Sequence, residues 1–214
     1  MKKSKPEFIF EKIEKYTKNL KVPLNSLIAI KRNSDFSILI SAILSTRTKD
    51  EVTAKVLKNF LKRIKDFYDL REIKLDELEK IIYPIGFYRN KARILKRLAE
   101  VILEDYSGKI PGEFNELIKL PGVGRKVANL VLQEIFKKDE ICVDTHVHRI
   151  SNRLGWIKTK NPKETEENLK AIFRKKYWKR INKTLVAFGQ GICKPVKPSC
   201  EICPVEEFCP KILS

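Results

Sequence analysis

Leu120-Pro121-Gly122-Val123-Gly124-Arg125-Lys126 is the stretch on which the reading of this chain turns. It lies between two helical patterns: Phe114, Leu117 and Leu120 upstream, and Val127, Leu130, Val131 and Ile135 downstream. Pro121 ends the first helix, and Gly122 and Gly124 can adopt positive φ without steric cost. A tight turn of this kind leaves backbone N–H groups unpaired at the start of the next helix. Those amides and the helix dipole suit a phosphate oxygen. Taken alone, a G-x-G turn is more often an ordinary helix connection. Lys126 adds to it. With Val127, Leu130 and Val131 in the buried stripe, Lys126, Asn129 and Gln133 share the other face. Lys126 also meets the positive end of the dipole, a setting that favours the neutral amine an attacking lysine needs. The plain alternative is a solvated surface lysine.

Asp144 follows 18 positions later, in Val143-Asp144-Thr145-His146-Val147-His148-Arg149. The helix after Lys126 carries the chain away for about three turns, and about six extended residues at roughly 3.3 Å each can bring it back. Asp144 also reads as the N-cap of a helix through Leu154, a role compatible with a return towards Lys126. His146 and His148 are two apart, do not share a helix face, and form no metal site between them.

The rest of the chain reads as helix. Ile9, Ile13, Tyr16 and Leu20 give one apolar stripe, and Val52, Val56, Leu57, Phe60, Leu61 and Ile64 a second. Phe36 to Leu44 is apolar on nearly all sides, a central buried helix or a strand, and Asp35 as N-cap favours helix. Leu95, Leu98, Ala99, Ile102 and Tyr106 mark another helix, ended by Gly108 and Pro111. Asn161-Pro162-Lys163-Glu164 supplies an N-cap, a proline in the first turn and a capping-box acid, and Leu169, Ile172 and Phe173 continue from it. A last helix from Ile181 to Phe188 stops at Gly189. No strand pair and no tandem repeat appears, so the fold class is all-α.

The 214 residues hold 45 Lys and Arg against 27 Asp and Glu, a net charge of +18 spread along the chain. A polyanion, nucleic acid above all, is the natural partner; a Lys-rich proteome is the plain alternative. The longest apolar run is too short to cross a bilayer, and Met1 to Pro6 leads into an amphipathic pattern, not a signal-peptide core. A cytoplasmic or nuclear protein is expected. Two Gln and one Met, with plentiful Lys, Glu and Ile, lean towards a thermophile.

Four of the five Cys crowd into Cys193-x6-Cys200-x2-Cys203-x5-Cys209, a tail dense in proline that cannot be regular structure. The grouping is too tight for a disulfide framework and suits a tetrathiolate site, holding zinc or an iron–sulfur cluster. Cys142 stands apart as a small buried thiol. Lys194 and Lys197 make the first interval a stiff basic loop, a candidate for phosphate. Arg89, Lys91 and Arg93, after Gly86, are further candidates for contact with a nucleic-acid backbone.

These residues carry a resemblance. The glycine hairpin with Lys126, followed by Val143-Asp144-Thr145-His146, is similar to the helix-hairpin-helix and aspartate motif of the endonuclease III family. The similarity extends from Pro23 to Cys209 and takes in Ile40-Ser41-Ala42-Ile43-Leu44-Ser45, Ile85-Gly86-Phe87-Tyr88 and the cysteine tail. The resemblance implies two helical domains with a DNA cleft between them: residues 28–138, with the hairpin, and residues 1–27 plus 139–214, with the cluster. It implies a bifunctional DNA glycosylase and AP lyase that removes oxidised pyrimidines from duplex DNA in base-excision repair. Lys126 would attack C1′, Asp144 would stabilise the developing sugar cation, and β-elimination would follow. The three cysteine intervals match the family's C-terminal [4Fe–4S] loop, so Cys193, Cys200, Cys203 and Cys209 would hold that cluster. Gly122, Gly124, Arg125 and His146 join the candidate DNA contacts.

One departure bears on specificity. Arg47 stands where many members of the family have a glutamine thought to fill the gap left by the flipped base; a guanidinium can stack there and donate hydrogen bonds. Phe87 matches the family's apolar wedge position, although ordinary packing would also explain it. A relative with uracil or mismatch specificity, and a non-catalytic DNA-binding iron–sulfur module, are the alternatives. A monomer is expected.

Overall fold

The computed structural model describes residues 5–22 and 34–212, and its elements among them are helical. These are α1 (Pro6–Thr17), α2 (Asp35–Ser45), α3 (Asp50–Arg63), α4 (Phe67–Glu72), α5 (Leu75–Ile82), α6 (Tyr88–Asp105), α7 (Phe114–Leu117), α8 (Arg125–Glu134), α9 (Thr145–Arg153), α10 (Pro162–Ile172) and α11 (Lys175–Gly191). Two compact units result: described residues 34–138 form one, and 5–22 with 139–212 the other. The boundary expected between residues 27 and 28 lies outside the described residues, as do Met1 to Ser4. No helix among the described residues is long and apolar enough to cross a membrane.

In the unit of residues 34–138, α2 is the central element. Leu39, Ile40 and Leu44 are fully buried, and the all-round apolar pattern resolves to helix, not strand. Its N-cap is Ser34, not the expected Asp35. The Ser34 hydroxyl accepts from the Ser37 amide at 3.1 Å, and the Ser37 hydroxyl accepts from the Ser34 amide at 3.1 Å. This reciprocal capping box satisfies two amides that a lone carboxylate in the first turn would leave unpaired. Helix α6 begins seven residues before its expected stripe, directly after Phe87, and buries Leu95, Leu98, Ala99 and Ile102. Gly108, at φ +77°, turns the chain beyond it as its amide reaches back to the Ile102 carbonyl at 2.8 Å.

In the unit of residues 5–22 and 139–212, α1 buries Ile9, Phe10 and Ile13 but stops at Thr17, so Leu20 packs from beyond its end. Asn161 caps α10 as expected, accepting from the Glu164 amide at 3.0 Å. The Glu164 carboxylate takes the Lys160 amide instead of closing the box on Asn161. Helix α11 corrects the expected stop at Gly189, running from Lys175 through Gly189 to Gly191. Gly189 is there for space. A Cβ at this position would collide with His146 Nδ1 and lie 3.0 Å from Ile150 Cδ1, so the glycine lets α9 approach α11. The cysteine tail is not wholly irregular. It contains two single-turn 3-10 helices, Cys200–Ile202 and Glu206–Phe208, anchored by buried Val205 and Phe208.

Candidate functional site

Hairpin residues 118–124 join α7 to α8. Helix α7 is one turn long and ends at Leu117, so Pro121 lies in the connecting turn and does not itself terminate the helix. Gly122 sits at φ +78°, and a Cβ there would lie 2.6 Å from Ile94 Cγ2, so glycine is required on both counts. Gly124 departs from expectation. At φ −92° and ψ 177° it is extended backbone and the N-cap of α8. A Cβ on Gly124 would meet nothing within 4 Å. With no side chain, it leaves open space at the N-terminal end of α8, from which a phosphate oxygen could approach the helix's first amides.

Lys126 follows in the first turn of α8, half-buried, and the Arg125 guanidinium stacks 4.8 Å from the Phe114 ring centroid. Val127, Ala128, Val131 and Leu132 are buried, whereas Leu130 is only half-buried. Asn129 and Gln133, expected on a polar face beside Lys126, are 1% and 8% exposed. Periodicity reported which face is apolar, not which is dry.

In the same unit the structure brings Arg47 and Phe87 together. Both are exposed, and the Arg47 guanidinium lies 5.7 Å from the Phe87 ring centroid. Both occupy the left-handed region, at φ 51° and 59°, which costs a non-glycine residue roughly 1–2 kcal/mol. Strain of this kind persists only where the surroundings over-determine it, and it collects at functional sites. Arg89 is exposed, lying over Tyr88 with its guanidinium 5.2 Å from the ring centroid.

Lys91 corrects the expectation of a backbone contact. It is 5% exposed, and its ammonium donates to the Leu44 carbonyl at 2.9 Å, the Thr46 carbonyl at 2.6 Å and Thr48 Oγ1 at 3.2 Å. Burial pushes its pKa down to about 8. A phosphate cannot share an ammonium already enclosed by three protein oxygens.

In the other unit, Asp144 caps α9, its Oδ1 accepting from the His146 and Val147 amides at 2.9 Å each. The two bonds fix the direction of the carboxylate. His146 Nδ1 lies 3.3 Å from Arg149 Nη2, whereas His148 Nδ1 is 2.7 Å from Thr165 Oγ1, so the two histidines do point apart.

Cys193, Cys200, Cys203 and Cys209 line one cavity with Leu154, Phe188 and Ile192. Four thiols on one cavity supply the ligand number of a tetrathiolate centre, zinc or iron–sulfur cluster alike. Burial raises the Cys209 thiol and pushes Cys203 up to about 11, so thiolates here call for a cationic centre. Arg153 was not picked out by its sequence context. It is 4% exposed and donates to the Lys194 carbonyl at 2.8 Å and towards Cys193 Sγ at 3.5 Å, tying α9 to the loop. The Lys194 side chain is exposed.

Residues 40–175 match the HhH-GPD superfamily base excision DNA repair protein family, and residues 193–209 match the iron-sulfur binding domain of endonuclease III. An endonuclease III of Thermotoga maritima is 46% identical over 84% of this chain and 84% of its own length. The chain belongs to the endonuclease III family. Another member, from Bacillus subtilis, is 38% identical over 83% of this chain and 81% of its own. The chain spans 59% of a 41% identical mouse endonuclease III-like protein 1. A trapped endonuclease III–DNA covalent intermediate superposes with a TM-score of 0.87 at 33% identity, over 96% of this chain and 94% of that one. A thermostable thymine-DNA glycosylase gives 0.83 at 27% identity, over 96% and 95%. With the fold, the hairpin and the cysteine loop, these relations make the chain a DNA-binding base-excision glycosylase and AP lyase with a [4Fe–4S] cluster. Cys193, Cys200, Cys203 and Cys209 fit that cluster, which when bound cross-links four points of a loop poor in regular structure.

Proposed function

We propose that Lys126 is the nucleophile and Asp144 its partner, acting on oxidised pyrimidines and abasic sites in duplex DNA. The observation that carries this is Lys126 in the first turn of α8, two residues after the open amide edge at Gly124. Phosphate held at that edge would anchor the backbone of a flipped nucleotide beside the amine. The Lys126 Nζ lone pair then forms a bond to C1′ as the bond to the damaged base breaks and the base leaves with that electron pair. The Asp144 carboxylate, held by two amides, offsets the positive charge developing on the sugar and takes the proton Lys126 loses. Ring opening gives an imine, which makes the C2′ hydrogen acidic; its loss expels the 3′ phosphate by β-elimination. Water finally hydrolyses the imine and frees Lys126.

Arg47 and Phe87 act in the preceding step, Phe87 as the wedge and Arg47 filling the gap left by the flipped base. Arg89, Arg125, His146 and Lys194 contact the DNA. The unit of residues 34–138 supplies the hairpin and Lys126, the other unit Asp144 and the cluster loop. The enzyme works as a monomer inside the cell.

Borohydride reduction during turnover on a thymine-glycol duplex should trap a covalent complex that Lys126→Ala abolishes. Asp144→Asn should lower excision by about 10²-fold or more while DNA binding persists. Base release without trapping would make the enzyme monofunctional; wild-type cutting by both variants would remove the assignment. Arg47 in the glutamine position favours a second reading, a wider base spectrum reaching uracil or mismatches. A panel of thymine-glycol, dihydrouracil, U·G and T·G duplexes decides between the two.

A further inference from the structure

Lys91 projects from the first turn of α6 into the end of α2. The Leu44 carbonyl it caps belongs to the last turn of α2, where carbonyls lack partners within the helix and the dipole favours a cation. Its second acceptor, the Thr46 carbonyl, directly precedes Arg47. Its third, Thr48 Oγ1, directly follows Arg47, and also accepts from the Gly86 amide at 3.1 Å while donating to the Thr46 carbonyl at 3.3 Å. The hydroxyl's one donor and two acceptor sites are thereby filled. Gly86 precedes Phe87 as Thr48 follows Arg47. A Cβ on Gly86 would lie 2.7 Å from the Arg47 carbonyl oxygen, so the two loops touch backbone to backbone. On either side of that contact stand the two left-handed residues, stacked and exposed.

We propose that Lys91 is a positioning residue for base recognition: with Thr48 it locks the 44–48 loop onto Gly86, so that Arg47 and Phe87 meet DNA as a preformed pair. This rests on the reading above in which Arg47 and Phe87 enter the duplex. Two exposed side chains on independent loops would have to be ordered at the moment of insertion, at a cost in binding. The lock carries that cost in the folded protein and holds both residues in a backbone conformation they would otherwise leave. Because Lys91 touches neither base nor phosphate in this arrangement, its effect should follow Arg47 and Phe87 and not the chemistry at Lys126.

The experiment compares Lys91→Met and Thr48→Val with Thr48→Ser, which restores the hydroxyl. In the free holoprotein, hydrogen exchange of the Gly86 amide should accelerate at least about tenfold in the first two and stay at the wild-type rate in Thr48→Ser. Single-turnover excision of thymine glycol should fall about tenfold, with cleavage of a preformed abasic site, which has no base to extrude, falling less than about threefold. Lys91→Met should cost nothing further in an Arg47→Ala, Phe87→Ala background. Equal losses on both substrates, full additivity with that double variant, or unchanged Gly86 exchange would overturn the proposal. Normal excision by Arg47→Ala and Phe87→Ala would bring down the underlying reading of insertion, and the recognition role with it. Impaired excision by those two beside normal excision by Lys91→Met would bring down the proposal alone. If Lys91→Met does not fold, Thr48→Val carries the same comparisons.

Discussion

Burial holds the Lys91 ammonium down to about 8, against 10.5 for a free lysine. Between those values the unfolded chain keeps a proton that the folded one has released. The unfolded state then binds more protons, so stability rises with pH across that window. The cost of the buried charge is fully present below about pH 8 and relieved towards pH 10.5. Wild type should therefore gain stability relative to Lys91→Met as pH rises from 8 to 10, measured by urea midpoints of the two proteins. A gap that stays flat, or moves the other way, would show that the three neutral oxygens hold the ammonium as well as water does. Nothing in the local sequence distinguishes such a lysine: Arg89 and Arg93, two positions either side of it, are exposed. Arg153 is the same case, a cation whose partners are carbonyls brought from 41 residues away. Residue type predicts solvent for both, and only the fold supplies acceptors. The left-handed backbones of Arg47 and Phe87 were equally illegible, since nothing short of the lock around them makes a non-glycine residue adopt that conformation.

The two glycines of the hairpin make a sharper test of an element. Gly122 is at φ +78° with Ile94 Cγ2 in the path of any Cβ, so Gly122→Ala should destabilise the protein by about 2 kcal/mol or more. Gly124 is extended with open space around it, so Gly124→Ala should melt close to the wild-type temperature and yet bind DNA more weakly, because the methyl group takes up open space that a phosphate would enter at the N-terminal end of α8. Equal melting losses for the two, or wild-type binding by Gly124→Ala, would contradict the assignment of one glycine to conformation and the other to access. Gly189→Ala should cost about 1–3 kcal/mol by forcing α9 from α11, read as a lowered melting temperature. Helices with a clear stripe, such as α3 and α6, were legible because core contacts repeat with the helical period. Their ends were less so. Ser34 takes the cap from Asp35 because a serine pair can both accept and donate, and Gly189 reads as a stop because its neighbour on α9 is remote in sequence. The hairpin, Asp144 and the cysteine loop were legible for a different reason: their chemistry fixes residue type and spacing together.

Across the molecule, the net charge of +18 invites the view that binding to DNA is set by total charge. The disposition of the cations argues otherwise. Arg174 is paired with Glu7 at 2.7 Å, Lys170 lies between Glu140 and Glu166, and Lys91 and Arg153 are enclosed by backbone oxygens. The candidates for phosphate contact are fewer: Arg93, Arg125, Lys194 and Lys197, with Arg89, whose guanidinium is 3.9 Å from the Glu79 carboxylate. If about five phosphates are neutralised, log K against log salt for an undamaged duplex should have a slope of about −4.5. Lys194→Ala should make that slope shallower by about one, as expected for one phosphate contact fewer. Lys91→Met should leave the slope where it is, although it removes the same formal charge. Titration of binding between 50 and 300 mM salt, a range of roughly the kind over which counterion release is read, separates the two ideas. Were Lys91→Met and Lys194→Ala to shift the slope alike, net charge would govern the interaction, and the buried lysine would have to be counted among the residues that DNA feels.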